Sequence, residues 1–184
     1  GVGLHSGATT TVRLVPAATG GFRVGWLDRP SLGLQTLHPS QVSDTQLCTA
    51  LRLGQERLAT VEHLLAALAG TGITDLELWL DGEEIPLLDG SALPWVEAIA
   101  EAGLHPLGDR APMLTLQAPI MRHQGTGFVT ALPADALSLG AAIEFPQAAI
   151  GRQLFSLRLT PEAFVEELAP ARTLSLIHIS EPTR

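Results

Sequence analysis

The segment Ala59-Thr60-Val61-Glu62-His63-Leu64-Leu65-Ala66-Ala67-Leu68-Ala69-Gly70 sets an adjacent carboxylate and imidazole on the first turn of an otherwise apolar helix. Thr60 reads as the N-cap and Gly70 as the left-handed stop, which puts Glu62 and His63 near the second and third helical positions. Both side chains then leave the same helix mouth. The helix dipole favours an ionised glutamate there, and a neutral imidazole offers a ring nitrogen to a metal. The pattern therefore points to a metal site with a base beside it. The plainer reading is a solvated glutamate at a helix start next to a histidine at the core edge.

At 184 residues the chain has room for one ordinary domain or two small ones, with enough apolar residues for a core. A net charge of −8, eleven Arg and no Lys argue against a surface that tracks nucleic-acid phosphates. Cys48 is the single cysteine, so one chain cannot build a disulfide framework or a cysteine zinc cluster, and a reducing compartment fits. No run reaches the roughly 20 apolar residues of a membrane span, and no basic-then-apolar leader opens the chain. The chain starts at Gly1 without Met, so its true start is expected upstream. Residues 174–184, Leu-Ser-Leu-Ile-His-Ile-Ser-Glu-Pro-Thr-Arg, look like the in-frame translation of a transposase adapter used in sequencing libraries. Two Ile fall in these eleven residues, against six in the preceding 173. They are set aside from fold reasoning, His178 with them; the alternative is an amphipathic last strand.

Periodicity predicts an α+β fold in two similar units, 1–109 and 110–173, followed by the adapter-like 174–184. Thr9–Val15 and Gly21–Trp26 read as an opening antiparallel hairpin. Leu47–Leu53 turns through Gly54-Gln55 into a short strand before the Glu62-His63 helix, and Asp75–Leu80 is a further strand. Ser91 is the expected N-cap of a second helix, with Pro94 in its first turn and Gly103 as its stop. His105–Pro112 lacks periodicity and reads as a linker. Beyond it, Leu114–Ile120, Gly127–Leu132, Leu137–Phe145 and Gln153–Leu159 read as strands, and Pro161–Leu168 as a helix opened by its proline.

Other motifs carry less. Gly1-Val2-Gly3-Leu4-His5-Ser6-Gly7 lacks the preceding strand and spacing of a dinucleotide loop and reads as a tight turn. His105 and Asp109 have the spacing zinc sites use on helices, but Pro106 and Gly108 forbid that helix. Cys48 sits on an expected strand, as a small core residue or a reactive thiol. No Gly-x-Ser-x-Gly elbow is present.

Taken in order, Gly1-Val2-Gly3-Leu4-His5-Ser6-Gly7, Asp44-Thr45-Gln46-Leu47-Cys48-Thr49, Thr60-Val61-Glu62-His63-Leu64, Glu84-Ile85-Pro86-Leu87-Leu88-Asp89-Gly90-Ser91-Ala92 and Ala171-Arg172-Thr173 resemble one family. It is the UDP-3-O-acyl-N-acetylglucosamine deacetylase family of lipid A biosynthesis. The resemblance implies a zinc hydrolase of two similar α+β domains, each a sheet with helices on one face, and an active site between them. It implies Glu62 as general base, His63 as a zinc ligand and Thr173 as the residue that steadies the oxyanion. Phe145 would line the nucleotide side of the cleft, and His5 and Cys48 would lie near its mouth. An acylated UDP-amino sugar is the implied partner, and a monomer in the cytoplasm of a Gram-negative-type bacterium the implied setting.

The chain also departs from that pattern. The family's other two zinc ligands, from a His-x-x-x-Asp helix, and its protonating histidine belong beyond Thr173 and have no match here. Leu174 stands where an aromatic residue follows the threonine, and Gln147-Ala148 where the family has His-Pro after Phe145. The first strand, before Gly1, is also missing. The expectation is a piece of the deacetylase with one ligand of three, inactive by itself and without stoichiometric zinc. The alternatives are a sugar-nucleotide or acyl-chain binding module of the same fold, or a deacetylase of another N-acetylated amino sugar.

Overall fold

The computed structural model describes residues 1–108, 114–148 and 150–173. Its strands are β1 (Val12–Pro16), β2 (Phe22–Trp26), β3 (Gln35–Thr36), β4 (Val42–Asp44), β5 (Ala50–Leu53), β6 (Glu56–Leu58), β7 (Leu76–Leu80), β8 (Ile120–Gln124), β9 (Gly127–Ala131), β10 (Ser138–Glu144) and β11 (Arg152–Arg158). Helix α1 spans Glu62–Gly70 and α2 Leu93–Ala102; α3 (Pro161–Ala163) continues into a π turn over Phe164–Leu168. The fold is α+β, as the periodicity predicts.

The opening strands do not form a hairpin. β7 lies between them in a four-stranded sheet of order β1-β7-β2-β3, antiparallel to β1 and parallel to β2. Leu76, Leu78 and Leu80 of β7 all point into the core, and the neighbouring strands on both sides satisfy its backbone. On the other face Glu77 pairs with Arg23 at 2.9 Å and accepts from Trp79 Nε1 at 3.1 Å. Parallel pairing of β2 with β7 requires a crossover, and α1 lies on it, immediately before β7. The predicted turn at Gly54-Gln55 joins β5 to β6, and β4 completes a three-stranded sheet.

Leu64, Ala67 and Leu68 of α1 meet Trp95, Val96 and Ile99 of α2 and the buried faces of β2, β5 and β7 in one core. Truncating Leu64 or Leu68 to Ala would cost about 2–5 kcal/mol.

The helix ends differ from the predicted ones for identifiable reasons. Thr60 is not a capping residue: Val61 precedes α1 directly, and the Thr60 hydroxyl is engaged elsewhere. Gly70 is the last helical residue, and the left-handed glycine is Gly72, φ +79°. A Cβ on Gly70 would run into the ring of Phe164, so close approach explains that glycine. Ala92 precedes α2, while Ser91 Oγ accepts from Leu93 N–H at 3.2 Å; Pro94 and Gly103 hold their predicted places.

In the second half β8 pairs with β9 and β10 with β11 as two hairpins. The strand predicted over Leu114–Ile120 begins only at Ile120, after Pro119, which has no N–H for a ladder. Thr160 caps α3 through Ala163 N–H at 3.1 Å, with Pro161 in its first turn. Part of the predicted linker and all of 174–184 lie outside the described residues. Among the described residues no helix is long and apolar enough to cross a membrane.

Candidate active site

The five segments singled out in the sequence are interlocked by hydrogen bonds. Thr49 N–H donates to Glu62 Oε2 at 3.0 Å, and Val61 N–H returns a bond to the Thr49 carbonyl at 3.3 Å. The loop carrying Cys48 is thereby stitched to the start of α1. A parallel bridge between Ala59 and Glu84 brings the Glu84–Ala92 segment alongside. There Glu84 accepts from Thr60 Oγ1 at 3.0 Å, His5 N–H at 3.0 Å and Ser6 N–H at 2.8 Å. At the far end Thr173 N–H donates to the Gly90 carbonyl at 2.9 Å, and Arg172 Nε to the Asp89 carbonyl at 2.8 Å. Asp89 is in turn held below the usual carboxylate range by the Ser91 hydroxyl and N–H.

Among the described residues three that are not glycine have left-handed backbone, Leu47 (φ +66°), Thr60 (φ +58°) and Leu88 (φ +57°), and each belongs to one of these segments. Such conformations cost of order 1–3 kcal/mol each and persist where surrounding contacts over-determine them, as at active sites.

Glu62 and His63 are half-buried and open on one cavity of about 420 Å³. His63, Ala66 and Gly70 form a single helical stripe along its wall, and the small side chains leave the space open. Leu139 of β10, Leu159, and Phe164 and Leu168 of the π turn form the apolar remainder. Ala92 and Ala171 also line it, so the cavity reaches the segment that ends at Thr173.

The other predicted site residues are more dispersed. His5 lines a separate cavity of about 300 Å³ with Ser6, Thr10, Arg57, Glu83 and Glu84. What the His5 segment gives to the neighbourhood of α1 is its backbone N–H. Cys48 is half-buried beside Thr49, in neither cavity. Phe145 lies just past β10, 39 % exposed, its N–H bonded to the Gly151 carbonyl, and it does not line the cavity.

Glu84 and Thr49 were missed as candidates. Glu84 opens the Glu84–Ala92 segment, but its partners are 24 to 79 residues away in sequence and no local spacing reveals them. It is 4 % exposed. Burial pushes its carboxyl up, yet the donors from His5, Ser6 and Thr60 outweigh that and hold it at about 2.

A catalytic zinc takes three protein ligands and keeps a fourth position open. Among the described residues no group of three or more His, Cys, Asp or Glu is placed to hold a metal. His63 offers one imidazole, so these residues by themselves do not fit a zinc ion.

Glu62 and His63 thus stand together at a helix mouth, facing a mostly apolar cavity in an α+β fold. The chain belongs to the UDP-3-O-acyl N-acetylglycosamine deacetylase family, whose profile matches residues 1–183. It is 45 % identical to a UDP-3-O-acyl-N-acetylglucosamine deacetylase of Nostoc sp., over 97 % of this chain and 66 % of that protein. Enzymes of the same name from Trichormus variabilis (44 %; 97 % and 66 %) and Thermosynechococcus vestitus (42 %; 94 % and 60 %) are similar. The chain thus spans about two thirds or less of the length of these relatives.

Proposed function

We propose that the whole protein hydrolyses the 2-acetamido group of UDP-3-O-acyl-N-acetylglucosamine in lipid A biosynthesis, as a zinc-dependent deacetylase of the cytoplasm. The observation that carries this reading is Glu62, anchored by Thr49 N–H and opening with His63 on one cavity. Family membership supports it.

In this reading Glu62 takes a proton from the attacking water as it adds to the acetamide carbonyl. The Thr173 hydroxyl donates to the oxygen on which charge develops. The C–N bond then breaks, a proton passes to the leaving nitrogen, and acetate and a free glucosamine amine result. In the whole protein His63 would hold one position of a zinc ion, which would supply Lewis-acid polarisation and a water of lowered pKa. The family resemblance assigns Phe145, His5 and Cys48 to the substrate side, and they would reach it from outside the cavity that Glu62 and His63 line.

The test is acetate release from UDP-3-O-acyl-N-acetylglucosamine by the whole protein, before and after chelation. Turnover that is lost with the metal and returns with zinc supports the reading. Absence of turnover in metal-replete protein, with saturable substrate binding retained, would replace it with a binding module.

A further inference from the structure

We infer that Glu84 is a positioning residue for the Glu62–His63 pair, its buried carboxylate clamping Thr60 in the left-handed turn from which α1 starts and tying that turn to the His5–Ser6 loop. The inference rests on the reading of Glu62 and His63 as the reacting pair.

Thr60 is β-branched, buried and at φ +58°, a conformation such residues avoid unless held. What holds it is a hydrogen bond from its hydroxyl to Glu84 Oε1. Two residues later Glu62 begins α1, with Thr49 N–H on its own carboxylate. A change of φ at Thr60 would swing the start of the helix away from Thr49 and move both Glu62 and His63.

The other side of the clamp is built with equal specificity. Glu84 Oε1 also accepts from His5 N–H and Oε2 from Ser6 N–H, so both oxygens are needed as acceptors. An amide would turn an NH2 against one of these donors. A Cβ on Gly3 would strike the Glu84 carboxylate and the Ser6 hydroxyl, and Gly7 sits at φ +65°. The glycines of the opening motif thus let a loop lay two backbone N–H groups onto one carboxylate. Among the described residues no ion pair meets that charge, and the dipoles alone keep it ionised at neutral pH.

The test compares the whole protein with Glu84→Gln, Thr60→Val, Thr60→Ser and the double variant Glu84→Gln/Thr60→Gly. Turnover per folded molecule is read alongside hydrogen exchange at the Thr49 amide, which reports the bond to Glu62. Glu84→Gln and Thr60→Val are expected to lower kcat about 10- to 100-fold, with KM within about threefold, and to speed Thr49 exchange. Thr60→Ser, which keeps the hydroxyl, stays near the parent. Glycine takes φ +58° without a clamp, so Thr60→Gly restores most of both signals in the Glu84→Gln background. If Glu84→Gln does not fold, the Thr60→Val and Thr60→Ser pair decides. Unchanged kcat and Thr49 exchange in the folded variants would overturn the inference, as would a loss of kcat that Thr60→Gly does not relieve. Failure of the catalytic reading looks different: the parent protein itself has no turnover, and the exchange data alone then decide whether Glu84 holds Glu62.

Discussion

Thr49 N–H and Glu62 Oε2 lie 3.0 Å apart across thirteen residues of sequence, and this bond fixes one oxygen of the carboxylate that faces the cavity. A glutamine at position 62 keeps the size and can still accept from Thr49, but it cannot take a proton from water. Glu62→Gln is therefore expected to lower kcat by about 10² to 10⁴ while the melting temperature and KM change little. Turnover measured beside a thermal melt separates this loss from unfolding.

Thr173 can be tested without disturbing its anchor. Its N–H, not its hydroxyl, makes the bond to the Gly90 carbonyl, so Thr173→Ala leaves the backbone docked. If the hydroxyl donates to the developing oxyanion, kcat falls about 10- to 1000-fold with little change in substrate affinity. Thr173→Ser should keep most of the rate. Equal losses in the two variants would assign the threonine a packing role instead.

Glu84 gives the protein an acid-sensitive joint. Its carboxyl is held at about 2 in the folded protein against an ordinary 4.5. The stabilisation is complete above 4.5 and is lost as pH falls from there through 2, because the unfolded chain takes up the proton first. A shift of this size corresponds to a contribution on the order of 3 kcal/mol. Denaturant midpoints between pH 6 and 3 should fall more steeply for the parent than for Glu84→Gln. Asp75, Asp81 and Asp89 are shifted the same way, and the difference between the two proteins isolates Glu84 from them.

Local pattern carried most of the elements and the central pair. Glu62 and His63 stand at the mouth of α1 because the apolar period and the turn residues around it are local signals. Pairing is not local. The stretch Pro-Ala-Ala-Thr-Gly-Gly between β1 and β2 looks like a hairpin turn, yet β7, fifty residues on, inserts between the two strands to bury its leucine face. The Thr60 hydroxyl faced the same competition, since a cap suited the local sequence and Glu84, 24 residues away, took the bond. Gly70 was legible as a glycine with a purpose, but the purpose is Phe164, ninety-four residues distant.

That contact leads to a last prediction. Gly70 is helical, so alanine there suits the backbone and by itself would gain at most about 1 kcal/mol of helix propensity, less at this last helical position than in a helix interior. The Cβ, however, would enter the ring of Phe164, which is buried and belongs to the core. Overpacking of this kind costs about 1–3 kcal/mol, so steric conflict should win and Gly70→Ala should be destabilising. Phe164→Leu alone leaves a void beside the glycine and should cost about 1–2 kcal/mol. Combining them puts the new methyl into that void, and the double variant should be more stable than the sum of the single losses by at least about 1 kcal/mol. A denaturant-unfolding cycle over the four proteins measures this coupling, and simple additivity would mean that α1 and the π turn do not pack as described. Because Phe164 also walls the cavity beside His63, Gly70→Ala should raise KM for an acylated substrate more than it lowers kcat.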